Sequence, residues 1–137
     1  MQTRLNPYLN FAGTARDALE FYHRVFGGEL TVNTFGDFGN PGPELSDQIM
    51  HGQLESPNGL TLMASDLPPG VPHQPGTNIT ISLSGDDHDE LVGYWEQLSA
   101  SGSVTIPLEK QMWGAEFGQC VDAYGIAWLV NISQPES

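Results

Sequence analysis

The sequence predicts an α+β fold made of two βαβββ modules, and three observations predict it. The chain repeats itself across its middle, two amphipathic segments each end at glycine, and the other apolar residues alternate in strand-length runs. Asn6-Pro-Tyr-Leu-Asn-Phe-Ala-Gly13 aligns without a gap on Asn78-Ile-Thr-Ile-Ser-Leu-Ser-Gly85, 72 residues later. At the same offset Asp17 meets Asp89, Leu19 meets Leu91 and Tyr22 meets Tyr94. Two copies at so long a period point to duplication of a half-domain rather than a repeat array.

Taken in order, the first strand puts Leu9 and Phe11 on one face and Asn6, Tyr8 and Asn10 on the other. A helix follows over Ala15–Phe26, with Ala15, Ala18, Leu19, Tyr22, Val25 and Phe26 on one face. Thr14 is its N-cap, Asp17 supplies a carboxylate variant of the capping box, and Gly27-Gly28 stops it. Strands are predicted at Glu29–Phe35 and Ile49–Glu55, separated by a loop over Gly36–Asp47 that contains Pro41 and Pro43. Leu60, Leu62 and Ala64 then oppose Thr61, Met63 and Ser65. The second copy begins with Ile79, Ile81 and Leu83 against Asn78, Thr80 and Ser82. Its helix runs from Asp87 to Ala100 with Leu91, Trp95 and Leu98 inward and Gly102 as its stop. Asp86, Asp87, Asp89 and Glu90 crowd the start of this helix, where they complement its dipole; capping explains them better than a metal site. Strands at Ser103–Leu108 and Glu116–Val121 precede a last one with Ile126, Trp128 and Val130 opposing Ala127, Leu129 and Asn131. The 137 residues thus form a single domain: module 1 over about 4–66, a linker at 67–76 with four prolines, and module 2 over about 77–133.

Four basic residues against 17 acidic ones leave a formal charge of −13. Nucleic acid and anionic membrane surfaces both need lysine and arginine, so neither is an expected partner. The apolar runs are too short to span a bilayer, and the opening residues have no apolar signal core. A single cysteine, Cys120, excludes an internal disulfide, and the expected location is cytoplasmic. On its strand Cys120 reads as buried filler rather than a nucleophile. The polar strand faces fit the lining of a ligand pocket, although an ordinary solvated antiparallel sheet gives the same pattern.

Several stretches resemble the vicinal-oxygen-chelate (glyoxalase, bleomycin-resistance and dioxygenase) superfamily, and within it the PhnB-like group. They are Asn6-Pro-Tyr-Leu-Asn-Phe11, Ala18-Leu-Glu-Phe-Tyr-His-Arg-Val-Phe-Gly-Gly-Glu29, His51-Gly-Gln-Leu54, Leu62-Met-Ala-Ser-Asp66, Trp113-Gly114 and Asp122-Ala-Tyr-Gly-Ile-Ala-Trp128. The last departs from the more usual Asp-Pro-Phe-Gly. The resemblance implies a cup-shaped mixed sheet with the helices outside, and a homodimer. It also implies a divalent metal held by one ligand from the first and one from the last strand of each module. With the internal repeat as guide, those positions fall at or beside Asn6, Met63, Asn78 and Leu129. Neutral amides, a thioether and an alkyl group do not offset the dehydration of a divalent cation, so no metal ligand and no cofactor is expected.

The expectation is therefore a protein that binds a small organic molecule through Asn6, Tyr8, His51, Asp66, Asn78, Thr80, Trp113 and Asn131. The alternative is a metal-dependent or His51-dependent lyase, isomerase or dioxygenase-type enzyme of the same superfamily, with His51 the one candidate acid/base residue; a structural histidine is its plainer reading. Asp66 either projects into the cup mouth or simply ends a strand before a turn. Tyr8 and Trp113 either stack on a planar ligand or pack within the protein.

Overall fold

The computed structural model describes residues 3–39, 42, 45–57, 59–68 and 70–134. The chain divides into two compact units, Met1–Gln74 and Pro75–Ser137, each with one α-helix and one four-stranded sheet among the described residues. Module 1 comprises β1 (Tyr8–Phe11), α1 (Ala15–Phe26), β2 (Glu29–Thr34), β3 (Ile49–Glu55) and β4 (Thr61–Asp66). Module 2 comprises β5 (Ile81–Gly85), α2 (His88–Ala100), β6 (Ser103–Lys110), β7 (Glu116–Val121) and β8 (Ala127–Ile132). The strand orders are β1-β4-β3-β2 and β5-β8-β7-β6. In each sheet the module's first strand lies parallel to its last, and the other neighbours are antiparallel.

The helix spacing read from the sequence holds. All six predicted inward residues of α1 are buried, and so are Leu91, Trp95 and Leu98 of α2. A 12-residue helix is marginal alone. Burying side chains such as Leu19 and Tyr22 at about 1.5–3 kcal/mol each is what holds it, and both are fully buried. In module 1 they share the core with Phe11, Leu54, Leu62 and Ala64; in module 2 the core holds Leu83, Cys120, Trp128, Val130 and Ile132.

Gly28 and Gly102 occupy matching places just before β2 and β6. A Cβ on Gly28 would stand 2.1 Å from the Glu55 carbonyl oxygen, and one on Gly102 would stand 2.0 Å from that of Val121. Only glycine lets the helix exit pass this close to the neighbouring hairpin. The β3–β4 and β7–β8 hairpins are also alike. Gly59 N–H donates to Ser56 (3.2 Å) in one, and Gly125 N–H to Asp122 (3.1 Å) in the other.

Four expectations are corrected. The repeat is real, but its register is not gapless. Leu67 N–H donates to the Phe11 carbonyl and Ser133 N–H to that of Gly85, so Phe11 matches Gly85 and Tyr8 matches Ser82. This is two residues later than the ungapped alignment. A shift of two keeps every side chain on its own face, so alternation alone does not detect it. Second, Thr14 precedes α1 but makes no side-chain capping bond. The carboxylate of Asp66 takes over, accepting from Ala15 N–H at 3.0 Å. Third, β5 starts at Ile81, leaving Asn78, Ile79 and Thr80 outside the sheet, with Ile79 78% exposed. Fourth, the stretch read as a loop from Gly36 begins inside a 3-10 turn, Phe35–Phe38, closed by a Thr34/Asp37 capping box. Pro41, Pro43 and Pro69 of the predicted loops lie outside the described residues.

Candidate functional site

The sheet of module 1 buries one face under α1 and leaves the other open. Register fixes which side chains share the open face. Tyr8 sits beside Met63, Met63 beside Gln53, and Gln53 beside Thr31. One step along, Glu55 lies opposite Glu29 on one side and Thr61 on the other.

Across this face the polar groups join into one chain. The Tyr8 hydroxyl lies 3.3 Å from His51 Nδ1, and the two rings are 5.7 Å apart at a tilt of 35°. His51 Nε2 is 3.5 Å from Gln53 Oε1, and Gln53 Nε2 donates to Glu55 Oε1 at 3.1 Å. Arg4, arriving from the segment before β1, closes the chain 3.7 Å from the same oxygen. Tyr8 remains 46% exposed. The sequence offered His51 no partner; the parallel pairing of β1 with β4 brings Tyr8 to it. Arg4 was missed, because nothing local ties a coil residue to a strand more than forty positions away.

The same places in module 2 carry different chemistry. The Gln53–Met63 pair matches Gln119–Leu129, so His51 corresponds to Phe117, Glu55 to Val121 and Tyr8 to Ser82. Asn131 stands on the open face of β8, next to Ser84 and Phe117. Trp113 lies in the β6–β7 turn, 68% exposed, with its ring edge-on to Phe117 at 6.3 Å. Asn78 and Thr80 are exposed in the coil before β5, and Asn6 is half-buried before β1.

Asp66 does not reach the open face. It is 2% exposed, with Oδ1 accepting from Gly13 N–H (2.9 Å) and Ala15 N–H, and Oδ2 from Ile49 N–H (2.9 Å). The residue ties the start of α1 to β3, so its place among the ligand-facing candidates is withdrawn. Asp122 plays a comparable part in module 2, accepting from Tyr124 and Ile126 N–H and from Trp128 Nε1 at 2.8 Å. Burial, with Asp122 adding to it, pushes the Cys120 thiol up to about 11. The thiol is therefore neutral at ordinary pH and a poor nucleophile.

The donors do not fit a hard divalent ion. The first-strand residue beside Met63 is Tyr8, and beside Leu129 it is Ser82. Neither these nor Asn6 and Asn78 provide the carboxylates or imidazoles that such an ion requires. Among the described residues no group of three or more His, Cys, Asp or Glu is gathered to hold one. Nor is any helix among them long and apolar enough to cross a membrane.

Residues 4–130 match the family model described as the Glyoxalase/Bleomycin resistance protein/Dioxygenase superfamily. The chain is 25% identical to protein YjdN of Escherichia coli K12, over 93% of this chain and 94% of that one. It is 38% identical to protein PA1353 of Pseudomonas aeruginosa, whose crystal structure superposes with a TM-score of 0.86 over 98% of this chain and 100% of that one. The PhnB protein of Bacillus cereus shares the fold at 20% identity, with a TM-score of 0.73 over 96% and 100% of the two chains.

Proposed function

Because the chain belongs to the Glyoxalase/Bleomycin resistance protein/Dioxygenase superfamily, we propose that it binds a small organic molecule on the open face of the module 1 sheet, without a divalent metal. The observation that carries this reading is the exposed Tyr8 ring hydrogen-bonded to His51, on a face that also holds Gln53 and Glu55. An aromatic surface beside fixed polar groups is what an oriented, partly apolar ligand requires.

Charge narrows the class. Glu29 and Glu55 face each other across β2 and β3, and the whole chain carries −13. Small planar cations are drawn to such a surface, and anions are repelled. Tyr8 and His51 are the ligand-facing residues, with Asn6 at the margin.

Two measurements on the purified, untagged chain test this together. Thermal-shift screening is expected to show stabilisation by planar cations and none by matched anions. Calorimetric titration with Zn²⁺, Ni²⁺, Mn²⁺ and Fe²⁺ is expected to show no stoichiometric binding. Submicromolar metal binding, or a cation panel without effect, overturns the proposal.

A further inference from the structure

The direction of every hydrogen bond in the Tyr8–His51–Gln53–Glu55 chain follows from its carboxylate end. An ionised carboxylate only accepts, so Gln53 must turn its NH₂ group to Glu55, in keeping with the 3.1 Å contact. That leaves Gln53 Oε1 toward His51. The amide oxygen also only accepts, so His51 must carry its proton on Nε2, at 3.5 Å. Nδ1 is then a bare acceptor, and the Tyr8 hydroxyl spends its single proton on it at 3.3 Å. Arg4 Nη1, 3.7 Å from the same Glu55 oxygen, closes the chain at its carboxylate end.

We propose that this chain makes Tyr8 a specificity-determining residue: its oxygen presents only lone pairs outward, so the site selects ligands offering an N–H or O–H at that point. A ligand presenting a carbonyl or carboxylate there meets acceptor against acceptor. The scaffold does not need the arrangement, since module 2 builds the same sheet with Phe117, Val121 and Ser82 at the corresponding places. The selection rests on the binding reading above; the tautomer does not, and can be measured without any ligand.

Imidazole nitrogen-15 NMR of the full chain at pH 8.5 tests the tautomer, with the His51 signals identified by their loss in His51→Asn. A protonated Nε2 and a bare Nδ1 are expected, shifting toward a tautomer mixture in Glu55→Gln. A proton on Nδ1 in the unaltered chain overturns the inference. The selection is tested with benzamidine and phenyltrimethylammonium, a cation without N–H groups, as probes. Tyr8→Phe is expected to weaken benzamidine roughly tenfold, the cost of an unpaired donor, and to leave phenyltrimethylammonium unchanged or slightly tighter. Equal loss for both probes overturns the selection while leaving small-molecule binding intact. Binding of neither overturns the selection together with the reading it rests on.

Discussion

In module 1 the open sheet face carries Tyr8, His51 and Glu55, whereas the corresponding places in module 2 hold Ser82, Phe117 and Val121. Of the row, only the glutamine persists, as Gln53 and Gln119. The buried faces diverged less, each keeping an apolar helix stripe over apolar strand residues. The physical reason is the cost of change. A buried position must be refilled at native volume, while a side chain on an open face can be exchanged at little cost in stability. Divergence between the copies therefore collects where a ligand could be met, and module 1 is where it left polar chemistry.

The modules also solve the same structural problem by different routes, and three experiments probe that contrast. The largest effect is expected at the helix starts. Asp66 reaches α1 from the end of β4 and serves three backbone N–H groups, whereas α2 is capped by its own Asp87, which accepts from Glu90 N–H at 3.1 Å. Asp66→Ala should cost about 4 kcal/mol, because buried donors lose their acceptor. Asp87→Ala should cost about 1 kcal/mol. Urea unfolding of both variants checks the ratio, and equal losses would abolish the distinction.

The second experiment compares the matched glycines. Gly28→Ala and Gly102→Ala both drive a methyl group into a carbonyl oxygen, so each should lose about 2 kcal/mol or more. Gly28 sits at φ +93°, a conformation costly for alanine, and should lose about 1 kcal/mol beyond its partner. Thermal melts of the pair decide whether the two helix exits are equivalent.

The smallest effect concerns pH. Cys120 is the module 2 counterpart of Leu54, which cannot ionise. Its thiol titrates near 11 in the folded chain against an ordinary 9.0. An acid with a raised folded value favours the folded state while it stays protonated. Its contribution is complete below pH 9 and fades as the pH climbs toward 11. Stability should therefore decline over that interval, and Cys120→Val should flatten the decline, as read by denaturant midpoints across pH.

Much of the architecture was legible in the sequence because it depends on short-range periodicity. The bounds of α1 and the inward residues of both helices follow from 3.6-residue spacing and a glycine stop. What was not legible depends on register between distant strands. The partnership of Tyr8 and His51, the reach of Arg4 to Glu55, and the Gly13 and Ala15 donors served by Asp66 all arise from pairings more than forty residues apart in sequence. The misplaced repeat has the same origin. Sliding the copies by two residues preserves which side chains face inward, and only the hydrogen bonds at the strand ends tell the alignments apart. Asn78 and Thr80 were placed on a strand because their alternation continues past the point where backbone pairing begins, at Ile81.

The parallel pairing of β1 with β4 has a consequence for the order in which the chain assembles. Tyr8 pairs alongside Met63, so the first strand made is among the last to find its partner. Hairpins such as β3–β4 can close locally within microseconds. β1 must wait until nearly the whole module has been synthesised, paying the closure entropy of a long loop before any contact repays it. During translation β1 stays without its partner strand for that interval, and β5 later waits on β8 in the same way. The chain thus meets its most aggregation-prone moment twice, once for each module.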